Sequence, residues 1–217
     1  MKKIKFIFDL DGTLLDTSEG ITESAAYAVK AMGFSELTYE ELLSFIGPPV
    51  QASFMRLYGC SEDIAQKATD IFREYYKDHG LLKAKPYNGI YDLCGLLGNH
   101  GIKTAAATYK REDYAVKLLK HFHFDEYFCT MHGADPANVL TKADIINICL
   151  SEMGGRKDDT VLIGDTEHDA KGAEGSGISF IGVTYGFGFR SEDDVNRYKN
   201  IGTASSPDDA GKIILTA

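Results

Sequence analysis

The sequence predicts an α/β fold: an open, Rossmann-like parallel sheet with a small all-α cap domain inserted after its first strand. Short runs rich in β-branched and aromatic residues alternate with segments of helical periodicity, a pattern typical of β-α-β units. The gap between the first two runs is too long for one crossover helix and contains no convincing strand. The chain has 217 residues, which suits one compact domain with an insert, or two small domains, at roughly 150 residues per domain.

Five apolar runs are predicted to form the sheet. They cover residues 4–8, 103–107, 127–131, 160–163 and 179–183. Helices are predicted where apolar residues recur at i, i+3, i+4 and i+7. These residues are Ile90, Leu93, Leu96 and Leu97 before the second strand, and Ala115, Leu118, Leu119 and Phe122 after it. Thr141 and Asp144 have the spacing of a capping box, and Ser206 followed by Pro207 predicts the start of the last helix.

Residues from about 18 to 82 are predicted to form the helical insert. One apolar face of its first helix consists of Ile21, Ala25, Ala28 and Met32. Further helices are predicted over residues 39–45, 50–57 and 61–79. A rigid Ile-Gly-Pro-Pro turn at residues 46–49 interrupts them. We therefore expect residues 1–16 and 84–217 to form the α/β core, and residues 17–83 to form the cap.

The composition argues against several classes of protein. Lysine and arginine total 23 against 32 aspartates and glutamates, a net charge of −9, which disfavours nucleic acid binding through a basic face. The four cysteines form no C-x-x-C pair, so a zinc site or dithiol redox motif has little support. No segment approaches the roughly 20 apolar residues that span a bilayer, and Lys5 and Asp9 interrupt the N-terminal apolar stretch, unlike a signal peptide. We expect a cytoplasmic protein without a membrane partner, whose thiols are free and mostly buried.

Two carboxylates follow the first strand directly. Asp9 and Asp11 arrive at the carboxyl end of a parallel strand, where open α/β sheets bind their ligands. An isolated Asp-x-Asp more often decorates a turn or a helix cap. Gly12 and Thr13 come next, and a glycine allows close approach of backbone N–H groups to an anion while a threonine adds a hydroxyl. The segment therefore favours a binding site.

A second acidic cluster follows the fourth strand. Asp165 and Asp169 lie just after a buried run, although a single strand-Gly-Asp segment can equally cap the next helix. Carboxylates from two strand ends would repel one another unless a cation lay between them. Mg²⁺ binds through carboxylates, substrate phosphate and water. Together the two clusters indicate a metal site.

In this order along the chain, four motifs resemble those of the haloacid dehalogenase superfamily of phosphohydrolases. They are Asp9-x-Asp11-Gly12-Thr13, Thr108 at the end of the second strand, Lys142 at a helix start, and Gly164-Asp165-x-x-x-Asp169. The helical insert is similar to the small cap of the phosphoglycolate phosphatase and β-phosphoglucomutase branch. Each motif alone is unspecific, whereas their combination is highly specific. With the insert, the resemblance covers essentially the whole chain.

The resemblance implies a role for each motif residue. Asp9 would be the nucleophile that forms an aspartyl-phosphate, and Asp11 the general acid and base. Lys142 would pair with Asp9 and the phosphate. The phosphoryl oxygens would be bound by Gly12, Thr13 and Thr108. Mg²⁺ would be held by Asp9, the backbone carbonyl of Asp11, Asp165 and, directly or through water, Asp169.

The assignment of the lysine leaves alternatives open. Lys110 and Lys157 are near in sequence to the expected positions, and only the helix-start context after Thr141 favours Lys142. Tyr109 and Ala143 stand where the family often has asparagine and proline. Neither position supplies an essential group, so the expected chemistry is unaffected.

The cap turn at residues 46–49 is the candidate specificity element. A plain connection between two helices explains the same segment equally well. Gln51, Ser53 and Arg56 follow it and are candidates for contact with the leaving group.

These features together predict a Mg²⁺-dependent phosphomonoester hydrolase acting on a small phosphorylated metabolite, with phosphoglycolate or a nucleoside 5'-monophosphate favoured. A phosphomutase of the β-phosphoglucomutase kind is the first alternative, and a non-catalytic phosphate-binding module is the second. A carbon–halogen hydrolase is disfavoured, because that chemistry needs neither Mg²⁺ nor an acid at Asp11. A bound Mg²⁺ and Lys142 would offset the negative net charge locally. The oligomeric state is left open.

Overall fold

The computed structural model describes residues 4–137 and 139–216. Its strands are β1 (Lys5–Phe8), β2 (Leu15–Asp16), β3 (Lys85–Pro86), β4 (Thr104–Arg111), β5 (Phe128–Ala134), β6 (Thr160–Gly164), β7 (Ser179–Val183) and β8 (Gly202–Ala204). Six of them form one sheet in the order β5-β4-β1-β6-β7-β8, and every neighbouring pair is parallel. Strands β2 and β3 form a separate antiparallel pair. The predicted Rossmann-like fold class is confirmed.

The helices connect and cover these strands. They are α1 (Ser18–Ala31), α2 (Tyr39–Leu43), α3 (Val50–Tyr58), α4 (Glu62–Tyr75), α5 (Ile90–Asn99), α6 (Glu112–His121), α7 (Lys142–Met153), α8 (Glu167–Ser176), α9 (Glu192–Val195) and α10 (Pro207–Thr216). A π-helical turn, Tyr76–Gly80, extends α4. The capping box of Thr141 and Asp144 opens α7, as predicted.

Several strand predictions needed correction. The third predicted strand ends at residue 131, whereas β5 continues to Ala134. The second predicted strand ends at residue 107, whereas β4 continues to Arg111. The register against β5 shifts between Ala107 and Arg111, so the extension passes through an irregularity that alternation in sequence does not reveal. Strands β2, β3 and β8 were not predicted, because two or three residues carry too short a pattern.

The insert is helical throughout its regular elements. Helices α1 to α4 and the π-helical turn follow β2 and precede β3, which confirms a helical cap after the first strand. The exact limits, residues 17–83, stay a prediction. Helix α1 lies against the π-helical turn so closely that a Cβ on Gly20 would sit 2.0 Å from the carbonyl oxygen of Gly80. Only glycine fits this crossing.

The apolar core lies on both faces of the sheet. In β1, Phe6 and Phe8 point to the face covered by α5, α6 and the insert, while Ile7 points to the face covered by α7 and α8. All three are at most 1% exposed, and full burial of such side chains contributes about 1.5–3 kcal/mol each. This packing fixes the end of β1, from which the acidic residues project.

The four cysteines are free. Cys94 and Cys149 are buried, whereas Cys60 is half-buried and Cys129 is exposed, so the expectation of mostly buried thiols was wrong for two of them. Among the described residues, no helix has the length and apolarity needed to cross a membrane. The cytoplasmic location stays a prediction.

Candidate active site

Three buried carboxylates meet at the carboxyl edge of the sheet. Strands β1 and β6 are parallel neighbours, and the backbone N–H of Asp9 donates to the carbonyl of Ile163 at 2.9 Å. Asp165 follows β6, and Asp169 lies in the first turn of α8. One carboxylate oxygen of each of Asp9, Asp165 and Asp169 lies within 4.8 Å of the others. The adjacency of two strand ends thus gathers acids that are far apart in sequence.

Lys142 supplies the positive charge of this cluster. Its Nζ lies 2.5 Å from Asp9 Oδ1 and 2.7 Å from Asp169 Oδ1. The side chain is buried at the first position of α7, and a Cβ on Gly172 of α8 would lie 2.6 Å from Lys142 Cγ. The close contact of the two helices therefore directs the ammonium group to the carboxylates.

The alternative lysines lie elsewhere. Lys157 lies beside Gly177, past the C-terminal end of α8, where a Cβ on that glycine would be 3.4 Å from Lys157 Cδ. Lys110 contacts Asp11, as described below. Of the three candidates, Lys142 is the one that contacts Asp9.

Burial makes the charges of the cluster costly. It raises the pKa of Asp9 to about 7, with Asp169 adding to the rise and Lys142 opposing it. Burial, Asp169 and Asp9 together raise the pKa of Asp165 well above its usual range. Burial lowers the pKa of Lys142, but the charges of Asp169 and Asp9 outweigh that effect and raise it. Three carboxylates against one ammonium group favour a further cation.

The donor atoms fit a hard divalent cation. Asp165 Oδ2 accepts hydrogen bonds from the backbone N–H groups of Phe187 at 2.7 Å and Gly188 at 3.1 Å. Its other oxygen, Oδ1, is buried and accepts no hydrogen bond from the residues that the structure describes. A fixed, unpaired carboxylate oxygen beside two further carboxylates is the kind of ligand that Mg²⁺ prefers.

Asp11 lies apart from this group and is paired with Lys110. Lys110 Nζ is 3.0 Å from Asp11 Oδ1 and 3.1 Å from Oδ2, and both side chains are buried. The ammonium group also lies 4.9 Å from the ring centroid of Tyr76 in the insert. Sequence reasoning considered Lys110 only as an alternative to Lys142 and missed this role. The available signal was its position two residues after Thr108 at a strand end.

Gly12 and Thr13, two of the predicted phosphate-binding residues, lie between β1 and β2. Gly12 has a φ of 86°, and a Cβ there would lie 2.3 Å from Asp165 Oδ2, so the turn requires glycine. The backbone N–H of Gly12 donates to Leu15 and that of Thr13 to Leu10. Thr13 Oγ1 is buried and has no hydrogen-bond partner among the described residues. The roles of both amides toward phosphate stay predictions.

A small cavity lies between these groups. Its lining includes Asp9, Asp11, Thr108, Lys142 and Asp169 from the core, and Gly47 from the insert. Thr108 is buried, and its Oγ1 accepts a hydrogen bond from the backbone N–H of Lys110 at 3.2 Å. Its own hydroxyl proton can therefore point into the cavity. The structure thus brings together the nucleophile candidate, the acid candidate, the lysine and the threonine.

The turn at residues 46–49 reaches this site, while the residues after it do not. Gly47 lines the cavity, and a Cβ there would lie 3.3 Å from Thr166 Cγ2 across the interface. Gln51 and Arg56 instead donate hydrogen bonds to Glu62 and Ser44 within the insert. Ser53 is buried in α3. The expectation that these three contact a leaving group has no support in the geometry.

Comparison with known proteins agrees with the motifs. A family model described as haloacid dehalogenase-like hydrolase matches residues 6–183. The chain belongs to the haloacid dehalogenase-like hydrolase family. A 5'-nucleotidase of Pseudomonas aeruginosa is 37% identical over 194 residues, 89% of this chain and 87% of that protein. A phosphoglycolate phosphatase of Agrobacterium fabrum is 29% identical over 188 residues, covering 83% and 80% of the two chains.

Solved structures of haloacid dehalogenase-like hydrolases share the whole architecture. A predicted phosphatase from Clostridium acetobutylicum superposes with a TM-score of 0.91 at 36% sequence identity, over 99% of each chain. The resemblance inferred from the four motifs is therefore confirmed. As a haloacid dehalogenase-like hydrolase with relatives named as phosphatases, the protein is an enzyme of the phosphatase class.

Proposed function

We propose that the protein is a Mg²⁺-dependent phosphomonoester hydrolase that acts on a small phosphorylated metabolite through an aspartyl-phosphate at Asp9. Phosphoglycolate and nucleoside 5'-monophosphates are the favoured substrates, in keeping with the names of its relatives. The observation that carries this proposal is the arrangement of Asp9. Its carboxylate contacts Lys142, lies within 4.8 Å of the Asp165 and Asp169 carboxylates, and lines a small cavity that Asp11 also lines.

Asp9, Asp165 and Asp169 would hold the Mg²⁺, with the backbone carbonyl of Asp11 as a further ligand. When bound, the ion would reduce the repulsion between the nucleophile and the phosphate and stabilise charge in the transition state. Asp165 Oδ1 has no competing hydrogen bond among the described residues, which leaves it available as a ligand.

Asp9 would attack phosphorus with one carboxylate oxygen, forming an O–P bond while the bond to the leaving oxygen breaks. In its protonated form, Asp11 would give a proton to that oxygen, so that a neutral alcohol departs. Asp11 would then take a proton from water, whose oxygen attacks the aspartyl-phosphate and releases inorganic phosphate and Asp9. Lys142 would hold Asp9 in place, and Thr108 would donate its hydroxyl proton to a phosphoryl oxygen.

The proposal is tested by measuring phosphate release from a panel of phosphoglycolate, nucleoside monophosphates, sugar phosphates, pyrophosphate and p-nitrophenyl phosphate, with Mg²⁺ and with chelator. We expect turnover only with Mg²⁺, and a loss of at least about 1,000-fold in kcat for Asp9→Asn, because the nucleophile is removed. Asp125→Asn is the matched control, since Asp125 is exposed in a 3₁₀ turn and is far from Asp9 in sequence.

Two outcomes would overturn the proposal. A non-catalytic module would be indicated if no ester is turned over and Asp9→Asn changes no measured property of ligand binding. Interconversion of a hexose 1-phosphate in the presence of its bisphosphate, without phosphate release, would indicate a phosphomutase.

A further inference from the structure

A wider cleft adjoins the small cavity between the insert and the core. It shares Asp11, Lys110 and Gly47 with the smaller cavity. Because Asp11 is the residue proposed to protonate the leaving oxygen, the leaving group of a bound ester would extend into this cleft. The chemistry of its walls therefore bears on the choice of substrate.

The walls of the cleft are mostly apolar and aromatic, and they carry three cations. Arg73, Lys110 and Arg111 line it against the single carboxylate of Asp11. Two of these cations already have partners. Lys110 is paired with Asp11, and Arg111 donates from Nε and Nη2 to the two carboxylate oxygens of Asp113, each at 2.6 Å.

Arg73 differs from the other two cations. It lies half-buried in the last turn of α4. Within residues 4–137 and 139–216, no side chain or carbonyl forms an ion pair or hydrogen bond with its guanidinium group. A partly desolvated guanidinium without a counter-charge is costly unless an anion reaches it. The arginine is thus a candidate for binding substrate.

The surroundings of Arg73 hold it against the core. Its carbonyl accepts a hydrogen bond from the Tyr114 hydroxyl at 3.3 Å. Burial raises the pKa of Tyr114, and the charge of Arg73 is among the influences that oppose this rise, which places the guanidinium near that ring. The guanidinium of Arg111 lies 4.0 Å from the centroid of the same ring. The insert and the core therefore meet at this basic, aromatic wall.

We propose that Arg73 binds a second anionic group on the leaving side of the substrate, so that the enzyme prefers phosphoesters whose leaving group carries a carboxylate or a phosphate. This inference rests on the proposed function and selects among its substrates. It favours a short anionic ester such as phosphoglycolate over a neutral nucleoside. The planar guanidinium group offers two parallel N–H donors, which match the two oxygens of a carboxylate or a phosphate.

A pair of esters that differ in one group isolates this charge. 2-Phosphoglycolate and 2-hydroxyethyl phosphate have the same phosphoester bond, and a carboxylate in the first replaces a hydroxymethyl group in the second. We expect kcat/KM for phosphoglycolate to exceed that for hydroxyethyl phosphate by roughly 10–100-fold, as for a charged hydrogen-bonded contact. Pyrophosphate, assayed in parallel, distinguishes a phosphate from a carboxylate as the preferred group.

Substitution of Arg73 supplies the decisive comparison. In Arg73→Met the ratio of the two kcat/KM values should fall toward one, mainly through a rise in KM for phosphoglycolate. Arg73→Lys should give an intermediate ratio, because an ammonium group keeps the charge without the paired donors. Lys67→Met is the matched control, since Lys67 is exposed on the same helix and does not line the cleft. Its ratio should equal that of the unsubstituted enzyme.

The results that overturn this inference differ from those that overturn the function. The role of Arg73 is rejected, while phosphatase activity persists, if kcat/KM is equal for the two esters or if the ratio is unchanged in both Arg73 variants. It is also rejected if the enzyme prefers nucleoside monophosphates and Arg73→Met leaves that preference intact. If Arg73→Met does not fold, the ratio in Arg73→Lys decides alone. Failure of the unsubstituted enzyme to hydrolyse p-nitrophenyl phosphate with Mg²⁺ would reject the function itself.

Discussion

Lys110 holds both oxygens of the Asp11 carboxylate, with its Nζ 3.0 Å from Oδ1 and 3.1 Å from Oδ2. The two side chains are only 7% and 8% exposed, so neither charge is well solvated. Asp11 is therefore oriented by a residue that lies 99 positions further along the chain. Together with the contact between Lys142 and Asp9, this gives each of the two proposed catalytic carboxylates its own lysine.

Removing one partner of the Lys110–Asp11 pair should destabilise the fold more than removing both. Lys110→Met leaves a buried carboxylate without its cation, which costs roughly 3–5 kcal/mol. Adding Asp11→Asn removes the isolated charge and should restore much of that loss. Urea unfolding of the two single variants and the double variant measures the coupling. Lys171→Met, which breaks the exposed pair with Glu167, should leave the unfolding midpoint nearly unchanged. Additive effects of the two buried substitutions would contradict the pairing.

The contrast between the two lysines shows how far the sequence alone reaches. The placement of Asp9, Asp165 and Asp169 could be predicted, because parallel strands end at one edge of the sheet. The pairing of Lys110 could not, because it depends on the path of β4 after its irregularity at Ala107. Such a path is set by packing against β5 and the insert, and alternation along one strand carries no record of it.

The insert also contains both predictable and unpredictable elements. The helices there follow from apolar periodicity, but the π-helical turn at Tyr76–Gly80 does not. That turn places Tyr76 over Lys110, and it forms where Gly20 and Gly80 allow the backbones to touch. Gln51 and Arg56 donate hydrogen bonds within the insert, and their proposed contact with a leaving group stays a prediction. The cleft residue Arg73 carried no signal in the sequence beyond its charge.

Mg²⁺ should stabilise the protein, and Asp165 should be needed for this. At a concentration 100-fold above its Kd, a ligand that binds only the folded state adds about 2.7 kcal/mol, which corresponds to roughly 5–11 °C in Tm for a chain of this size. Asp165→Asn removes a ligand and should abolish the shift. The same variant should be more stable than the parent without metal, because burial and the neighbouring carboxylates already raise the pKa of Asp165.

Thermal unfolding with Mg²⁺ and with chelator measures both effects. Asp125→Asn, at an exposed position, should keep the full Mg²⁺ shift. An undiminished shift in Asp165→Asn would show that the ion binds elsewhere.

His132 should make stability depend on pH near neutrality. Its Nδ1 lies 3.1 Å from Glu112 Oε2 and its Nε2 lies 3.0 Å from Glu152 Oε2, and Glu152 also accepts a hydrogen bond from Thr130. Burial lowers the pKa of His132, but the bonds to Glu152 and Glu112 outweigh it, so the pKa is raised above 6.5. The folded protein therefore binds the proton more tightly than the unfolded chain.

The stabilisation by this histidine is complete below pH 6.5. It is lost as the pH rises through the higher pKa that His132 has in the folded protein. In His132→Gln the free energy of unfolding should accordingly lie below that of the parent at pH 6, and the difference should shrink by pH 8. Denaturant unfolding at several pH values measures it. His121→Gln, at an exposed position on α6, should follow the parent at every pH. A difference that grows with pH would mean that the imidazole is held in its neutral form.

Gly186 should be required for the position of Asp165. A Cβ at this position would lie 2.3 Å from the carbonyl oxygen of Gly12 and 2.4 Å from Asp165 Oδ2, and real Cβ atoms do not approach other atoms so closely. Gly186→Ala must therefore displace the loop after Asp11 or the Asp165 carboxylate. Because a shift of about 1 Å in a catalytic group can cost on the order of 100-fold in rate, we expect a loss of that size in kcat, together with a weaker Mg²⁺-dependent rise in Tm.

Gly95→Ala is the matched control. Gly95 lies in α5, where an added Cβ meets nothing within 4 Å, and alanine should stabilise the helix by about 0.5–1 kcal/mol. Equal kcat values for Gly186→Ala and Gly95→Ala would show that the loop tolerates the methyl group and that Asp165 is positioned by other contacts.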